Sequence, residues 1–470
     1  MIELIRASFQ YENSDRGVRD ISLSVKSGEC VVLTGLSGCG KTTVTRLVNG
    51  LAPSYYPGVF SGSVRIDGKD ISRLSTWEIG RLVGSVFQDP KSQFFSAELA
   101  GEVAFPCENY GLSTQEIRER TDAAIEALKL SHLKDRAVDI LSSGEKQRAA
   151  IASVYAMKPK VFVCDEPTAN LDAAGTRQLA QTLRQLKAQG FTLLLAEHRI
   201  DWLMGIADRF LYLRDGRIEA EYTPENLLCL PEADILGMGL RSPHEGKSLP
   251  APSVLDESPA VLKTAGLSKR IRREAIFDDV SLSFPEGKVT AITGQNGAGK
   301  TTLAQILCGL AKQTKGHILI DGKKVRAAVR RREIYYCGND TSTQFFTASV
   351  AEEMLLNAKL TEESKDRARH LLKELGLYEY RDAHPSALSG GQKQRLAIAC
   401  AIFSGRRILI LDEPTSGLDG QNMRLIAERL KSEARNGRTI LVITHDRELI
   451  ESCCDRIAKI GVKFGEGDVA

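Results

Sequence analysis

The sequence predicts an α/β protein built from two tandem domains, and two observations carry that prediction. The first is that four short motifs occur twice in the same order. Gly35-Leu36-Ser37-Gly38-Cys39-Gly40-Lys41-Thr42-Thr43 returns as Gly294-Gln295-Asn296-Gly297-Ala298-Gly299-Lys300-Thr301-Thr302, and Leu141-Ser142-Ser143-Gly144-Glu145 returns as Leu388-Ser389-Gly390-Gly391-Gln392. Val163-Cys164-Asp165-Glu166-Pro167-Thr168 returns as Ile410-Leu411-Asp412-Glu413-Pro414-Thr415, and His198 returns as His445. The second observation is the spacing: 259 residues separate the lysines, and 247 separate Gly144 from Gly391, Asp165 from Asp412 and His198 from His445. Chance similarity of short strings keeps neither order nor spacing.

Each motif has a chemical reason. The glycine strings follow strand-like apolar runs, Cys30-Val31-Val32-Leu33 and Val289-Thr290-Ala291-Ile292. Glycines let backbone N–H groups turn inward around phosphate oxygens, at the start of a helix whose dipole favours anions. Lys41 and Lys300 are expected to reach the β- and γ-phosphates, and Thr42 and Thr301 to ligate Mg²⁺. The expected phosphate cradles are Gly35, Ser37, Gly38, Cys39, Gly40 and Thr43 in the first copy, and Gly294, Asn296, Gly297, Ala298, Gly299 and Thr302 in the second. Four apolar residues then deliver Asp165 and Asp412 to a strand end as Mg²⁺-side carboxylates, with Glu166 and Glu413 placed to polarise an attacking water. Cys39 lies before a helix start and two residues from Lys41, so its thiol is expected to be reactive.

The Leu-Ser-Gly-Gly-Gln string, followed by Asp-Glu-Pro-Thr and a histidine, resembles the ATPase domains of ABC transporters. The resemblance covers nearly all of the chain except the middle linker and the C-terminal tail. It implies two P-loop NTPase domains, each with a sheet core and a helical subdomain bearing the signature string. It also implies a head-to-tail pairing in which one domain's phosphate loop and the other's signature hold each ATP. One site would combine Lys41, Thr42, Gln88, Asp165, Glu166 and His198 with Ser389, Gly390, Gly391 and Gln392. The other would combine Lys300, Thr301, Asn339, Asp412, Glu413 and His445 with Ser142, Ser143, Gly144 and Glu145. Gln88 and Asn339 would join the threonines and aspartates near Mg²⁺, and the histidines would contact the γ-phosphate. Tyr11 matches the aromatic that stacks on adenine; counting back equally in the second copy reaches Arg270. Asn339 for glutamine, Ser143 for glycine and Arg270 for an aromatic all fall on one site, which is expected to be attenuated.

A narrower resemblance lies downstream of Gln88. Phe87-Gln88-Asp89-Pro90-Lys91-Ser92-Gln93-Phe94-Phe95, then Glu102-Val103-Ala104-Phe105-Pro106, looks like the ATPases of energy-coupling factor transporters, as does Asn49-Gly50-Leu51 with the Tyr55 to Phe60 insertion. Such importers take up vitamins or transition metals, with the ATPases beneath a transmembrane scaffold protein and a separate substrate-capturing membrane protein. Lys91 and Ser92 depart from the acidic residue that family often has there. Phe94, Phe95, Phe345 and Phe346 read equally as core or as a partner groove.

Composition fits such a machine. With 63 basic and 60 acidic residues, nothing argues for nucleic acid. No apolar run approaches the roughly 18–20 residues of a membrane helix, and the N-terminus lacks a signal-peptide layout, so a peripheral place on the cytoplasmic face of the membrane is expected. Ten cysteines without metal or redox spacing suggest a reduced compartment. Pro231, Pro243, Pro250, Pro252 and Pro259 mark a loose linker, giving domains at 1–228 and 260–470 around a connector at 229–259. Five prolines exclude the long charged helix that joins the domains of ribosome-acting ABC proteins, and Lys300 is retained where tandem sugar-importer ATPases usually lose it. An exporter ATPase stays open, because direction is set by the membrane partner.

Overall fold

The computed structural model describes residues 1–12, 16–169, 171–244, 259–271, 274–356 and 358–461, without the side chains of Glu274 and Ser342. The chain divides into two compact units that part near residue 245.

In the first unit, the strands Arg217–Tyr222, Arg209–Arg214, Cys30–Gly35, Thr192–Ala196, Val161–Asp165 and Val83–Val86 form a six-stranded sheet in that order. All neighbours run parallel except Arg217–Tyr222, which closes the edge antiparallel. The central strands are buried along their whole length, as near-continuous apolar runs must be when both faces are covered. A second, antiparallel sheet holds Gly17–Val25, Ile2–Tyr11, Gly58–Ile66 and Lys69–Asp70. Val44, Leu47 and Val48 of the helix Lys41–Val48 share one hydrophobic cluster with residues of both sheets, such as Ile2, Phe9, Val31 and Leu194. A separate cluster joins the opposite face of the parallel sheet to the helices Leu99–Asn109, Thr114–Ala127 and Ser143–Ala156. Those three helices form the signature-bearing subdomain.

The second unit repeats the plan. Its parallel sheet runs Ile334–Cys337, Ile408–Asp412, Thr439–Ile443, Val289–Thr293, Arg456–Lys459, and its antiparallel sheet is built on Ala260–Ile271. In both units the phosphate loop leaves the carboxyl end of a central parallel strand, where ligands of open α/β sheets bind.

One local expectation changes. Pro231 is not part of an extended connector: it is the N-cap of a helix, Glu232–Gly237, a position that suits its fixed φ. Ile235 and Leu240 are buried in the first unit's core, and the Tyr212 hydroxyl donates to the Met238 carbonyl at 3.0 Å. Pro250 and Pro252 lie outside the described residues, as do Arg272 and Arg273 of the basic run at 269–273 and the tail from residue 462. In the run Arg330-Arg331-Arg332, Arg330 is buried at 3% exposure and its guanidinium donates to the Val325 carbonyl, while Arg331 and Arg332 are exposed.

Candidate functional site

The two phosphate loops share one geometry. Lys41 is buried and its Nζ donates to the carbonyls of Gly35 and Leu36, both at 3.0 Å. Lys300 does the same to Gly294 at 2.8 Å and Gln295 at 3.0 Å. Glycine is needed where the loop leaves the strand: a Cβ on Gly35 would stand 2.2 Å from the Leu213 carbonyl oxygen, and one on Gly294 2.4 Å from that of Ile460. Gly38 and Gly297 at the loop crests have φ near +80° and face open space. Ser37 and Asn296 are exposed beside them, Cys39 and Ala298 are buried beneath, and Gly40 and Gly299 are left-handed N-caps of the helices that carry Lys41, Thr42 and Thr43, and Lys300, Thr301 and Thr302. A ring of main-chain N–H groups at a helix start, with a buried ammonium alongside, fits a polyphosphate.

The expected thiolate at Cys39 is corrected. The side chain is 5% exposed, and burial raises its pKa more than Lys41, 3.8 Å away, lowers it. Proximity to a cation does not activate a thiol that has lost its water.

Behind each lysine stands the metal-side pair. Thr42 Oγ1 donates to Asp165 Oδ1 at 3.2 Å, and Thr301 Oγ1 to Asp412 Oδ2 at 2.7 Å. Hydroxyl and carboxylate oxygens suit a hard cation such as Mg²⁺, which keeps waters and phosphate oxygens as its other ligands. Among the described residues, no group of three or more His, Cys, Asp or Glu could hold a metal ion by itself. Burial and the neighbouring Glu166 push the Asp165 carboxyl up to about 6; burial likewise raises Asp412.

The adjacent glutamates differ sharply. Both hold left-handed backbones, with φ +43° at Glu166 and +51° at Glu413, a strained conformation that turns the side chain off the strand end. Glu166 Oε2 accepts from Gln88 Nε2 at 2.7 Å, and its Oε1 lies 3.2 Å from His198 Nε2. Burial raises this carboxyl, but the attraction and hydrogen bond of His198 outweigh it and leave Glu166 below the usual glutamate value. In the second unit Asn339 is exposed and, among the described residues, makes no hydrogen bond to Glu413. His445 Nε2 stands 3.9 Å from Glu413, whose Oε2 accepts from Thr444 Oγ1 at 3.2 Å. Burial and the Asp412 carboxylate push Glu413 up to about 7.

Three contributors escaped the motif reading. Glu197, where the second copy has Thr444, accepts from Thr168 Oγ1 at 2.7 Å and from the His198 N–H at 2.8 Å, fixing the histidine loop. Gln394 Nε2 donates to the Glu413 carbonyl at 3.1 Å. Tyr336 donates its hydroxyl to Asp412 Oδ2 at 3.2 Å. The signal for Glu197 and Thr444 was present: they sit just before the paired histidines and differ in charge.

Tyr11 is half-buried, packed edge-on to Phe9, and its hydroxyl accepts from Arg46 at 2.9 Å. The Arg46 guanidinium lies 3.7 Å over the Tyr56 ring, so the inserted segment braces Tyr11 through Arg46. Arg270 is exposed.

The signature strings are helix starts. Ser142 and Ser389 cap the helices Ser143–Ala156 and Gly390–Phe403, each in a reciprocal capping box with Glu145 or Gln392. Ser143 is exposed, and a Cβ at the matching Gly390 would meet open space, so this substitution leaves the helix start intact. Gly144 and Gly391 lie in the first turns.

Beyond Gln88 and Asn339 each unit offers an aromatic ring to solvent: Phe95 is 74% exposed and Phe346 78%. Phe94 and Phe345 pack partly against the helical cores. A buried carboxylate holds each loop, Glu102 accepting the N–H groups of Phe95 and Ser96 at 2.8 Å and Glu353 those of Phe346 and Thr347 at 2.9 and 3.0 Å.

Comparison with known proteins agrees with this geometry. A family model described as ABC transporter matches residues 18–169 and 277–416. A "Putative ABC transporter ATP-binding protein" of Treponema denticola is 40% identical over 467 residues, covering 97% of this chain and 94% of the relative. The "Putative HMP/thiamine import ATP-binding protein YkoD" of Bacillus subtilis is 34% identical, covering 97% of this chain and 89% of that protein. A chain in a model of ribosome-bound archaeal Pelota and ABCE1 aligns with 96% of this chain and 76% of its own length at a TM-score of 0.69 and 23% identity, a likeness of fold alone.

Proposed function

The chain belongs to the ABC transporter family of ATPases, and we propose that it is the ATP-hydrolysing subunit of a membrane importer of the energy-coupling factor type. Its two phosphate loops bind ATP through Lys41 and Lys300. Thr42 with Asp165, and Thr301 with Asp412, would hold Mg²⁺, which neutralises charge on the phosphate oxygens. Glu166, kept ionised by His198 and oriented by Gln88, accepts a proton from the attacking water. ATP-driven closure of the two domains supplies the stroke.

The observation that carries the membrane-coupled reading is the pair of exposed rings, Phe95 and Phe346, each anchored by a buried glutamate on the loop that follows Gln88 or Asn339. An exposed ring on a loop whose backbone is pinned by a buried carboxylate offers a surface to an apolar partner, and that loop leads on from Gln88 or Asn339. No described helix is long and apolar enough to cross a membrane; in this reading the spanning part is supplied by other chains. The HMP/thiamine import named for the Bacillus subtilis relative suggests a vitamin-type cargo, reached from the cytoplasmic face through a transmembrane scaffold and a substrate-capturing protein.

The test is fractionation of native cells followed by affinity capture and mass spectrometry. The expected result is recovery with membranes together with a membrane scaffold protein. Recovery wholly in the soluble fraction, or with ribosomes, overturns the transporter reading.

A further inference from the structure

Tyr336 belongs to the strand Ile334–Cys337, which lies parallel to Ile408–Asp412 with Tyr336 opposite Ile410. That register brings its hydroxyl to the strand-end carboxylate. Asp412 Oδ2 therefore accepts two bonds, from Thr301 at 2.7 Å and from Tyr336 at 3.2 Å. The phenol O–H is thus a donor to this carboxylate.

The first unit has the same strand pair but not this bond. Ser85 takes the tyrosine's place, opposite Val163, and its hydroxyl is engaged by Asn49 Nδ2 at 3.1 Å. Asp165 accepts from Thr42 on Oδ1. A carboxylate oxygen offers about two lone-pair sites, and a metal held beside it through water needs them as acceptors.

We propose that Tyr336 is a positioning residue that occupies an acceptor site of Asp412, so that the second phosphate loop binds nucleotide with less dependence on Mg²⁺ than the first. The inference rests on the assignment of Lys300, Thr301 and Asp412 to nucleotide, and the experiment separates the two. ATPγS affinity is measured by calorimetry with Mg²⁺ and with EDTA. The Lys41→Ala chain reports the second loop and the Lys300→Ala chain the first.

The ratio of metal-free to Mg²⁺ Kd should be smaller for the second loop. Adding Tyr336→Phe to the Lys41→Ala chain should raise that ratio about fivefold, the worth of one net hydrogen bond, while the metal-free Kd stays within about twofold. An unchanged or smaller ratio overturns the proposal. So does a parallel loss of both affinities, which is what a merely structural tyrosine would give. Binding that persists in the Lys41→Ala/Lys300→Ala chain overturns the loop assignment itself, a separate failure.

Discussion

At the first phosphate loop the glutamate beyond the strand end is met by Gln88 at 2.7 Å and by His198 at 3.2 Å; at the second, Thr444 is 3.2 Å from it and His445 is 3.9 Å away. Backbone, lysine, threonine and aspartate are the same in both, down to a left-handed φ at the glutamate. What differs is the company the carboxylate keeps, and it sends the proton affinity in opposite directions: below the usual value at Glu166, up to about 7 at Glu413. One fold with one motif set thus holds a glutamate of lowered proton affinity in one unit and one of raised proton affinity in the other. Motif identity fixes where a group stands; its neighbours fix its charge state.

The largest expected effect that sharpens this contrast is on the orienting amides. Gln88→Ala removes a charge-assisted bond to the base and should lower kcat about tenfold, whereas Asn339→Ala should leave kcat within about twofold. Equal losses in steady-state ATPase would mean that Asn339 reaches the carboxylate during turnover.

A second contrast is in stability without nucleotide. An unfolded glutamate titrates near 4.3. Glu413, with its raised pKa, binds more proton when folded, so its ionisation destabilises the fold as pH rises from about 4 to 7. Glu413→Gln should therefore raise the second domain's unfolding midpoint by several degrees at pH 8 and by nothing near pH 3, below both pKa values. Glu166, with its lowered pKa, contributes stability above its unfolded pKa that fades as pH falls through the folded one. Glu166→Gln should lower the midpoint at pH 8. Shifts of the same sign in differential scanning fluorimetry would break the comparison.

The smallest effect concerns Cys39 against Ala298. Because the thiol is buried with a raised pKa, maleimide should label the exposed Cys229 first, and Cys39→Ala should leave the initial labelling rate unchanged. A rate that falls in that variant would restore an activated Cys39.

The places of the phosphate loops, the Asp/Glu pairs and the histidines were legible because each is a short string whose chemistry is local, whereas the capping boxes at Ser142 and Ser389 were not read there. The sheet plan was legible too, since buried parallel strands such as Thr192–Ala196 leave unbroken apolar runs. Less legible were features set by pairing across the chain. Tyr336 reaches Asp412 only through strand register, and Thr444 reaches Glu413 only once two strand ends lie side by side. Cys39 misled because charge proximity is visible in sequence and burial is not. Pro231 misled because a proline that opens a helix and one that loosens a linker read alike.

The most direct test of unequal sites is ATP turnover by two single variants of the full chain at pH 7. Glu166→Gln should remove most hydrolysis, while Glu413→Gln should leave a readily measured fraction. Equal losses, or a greater loss from Glu413→Gln, would contradict the account.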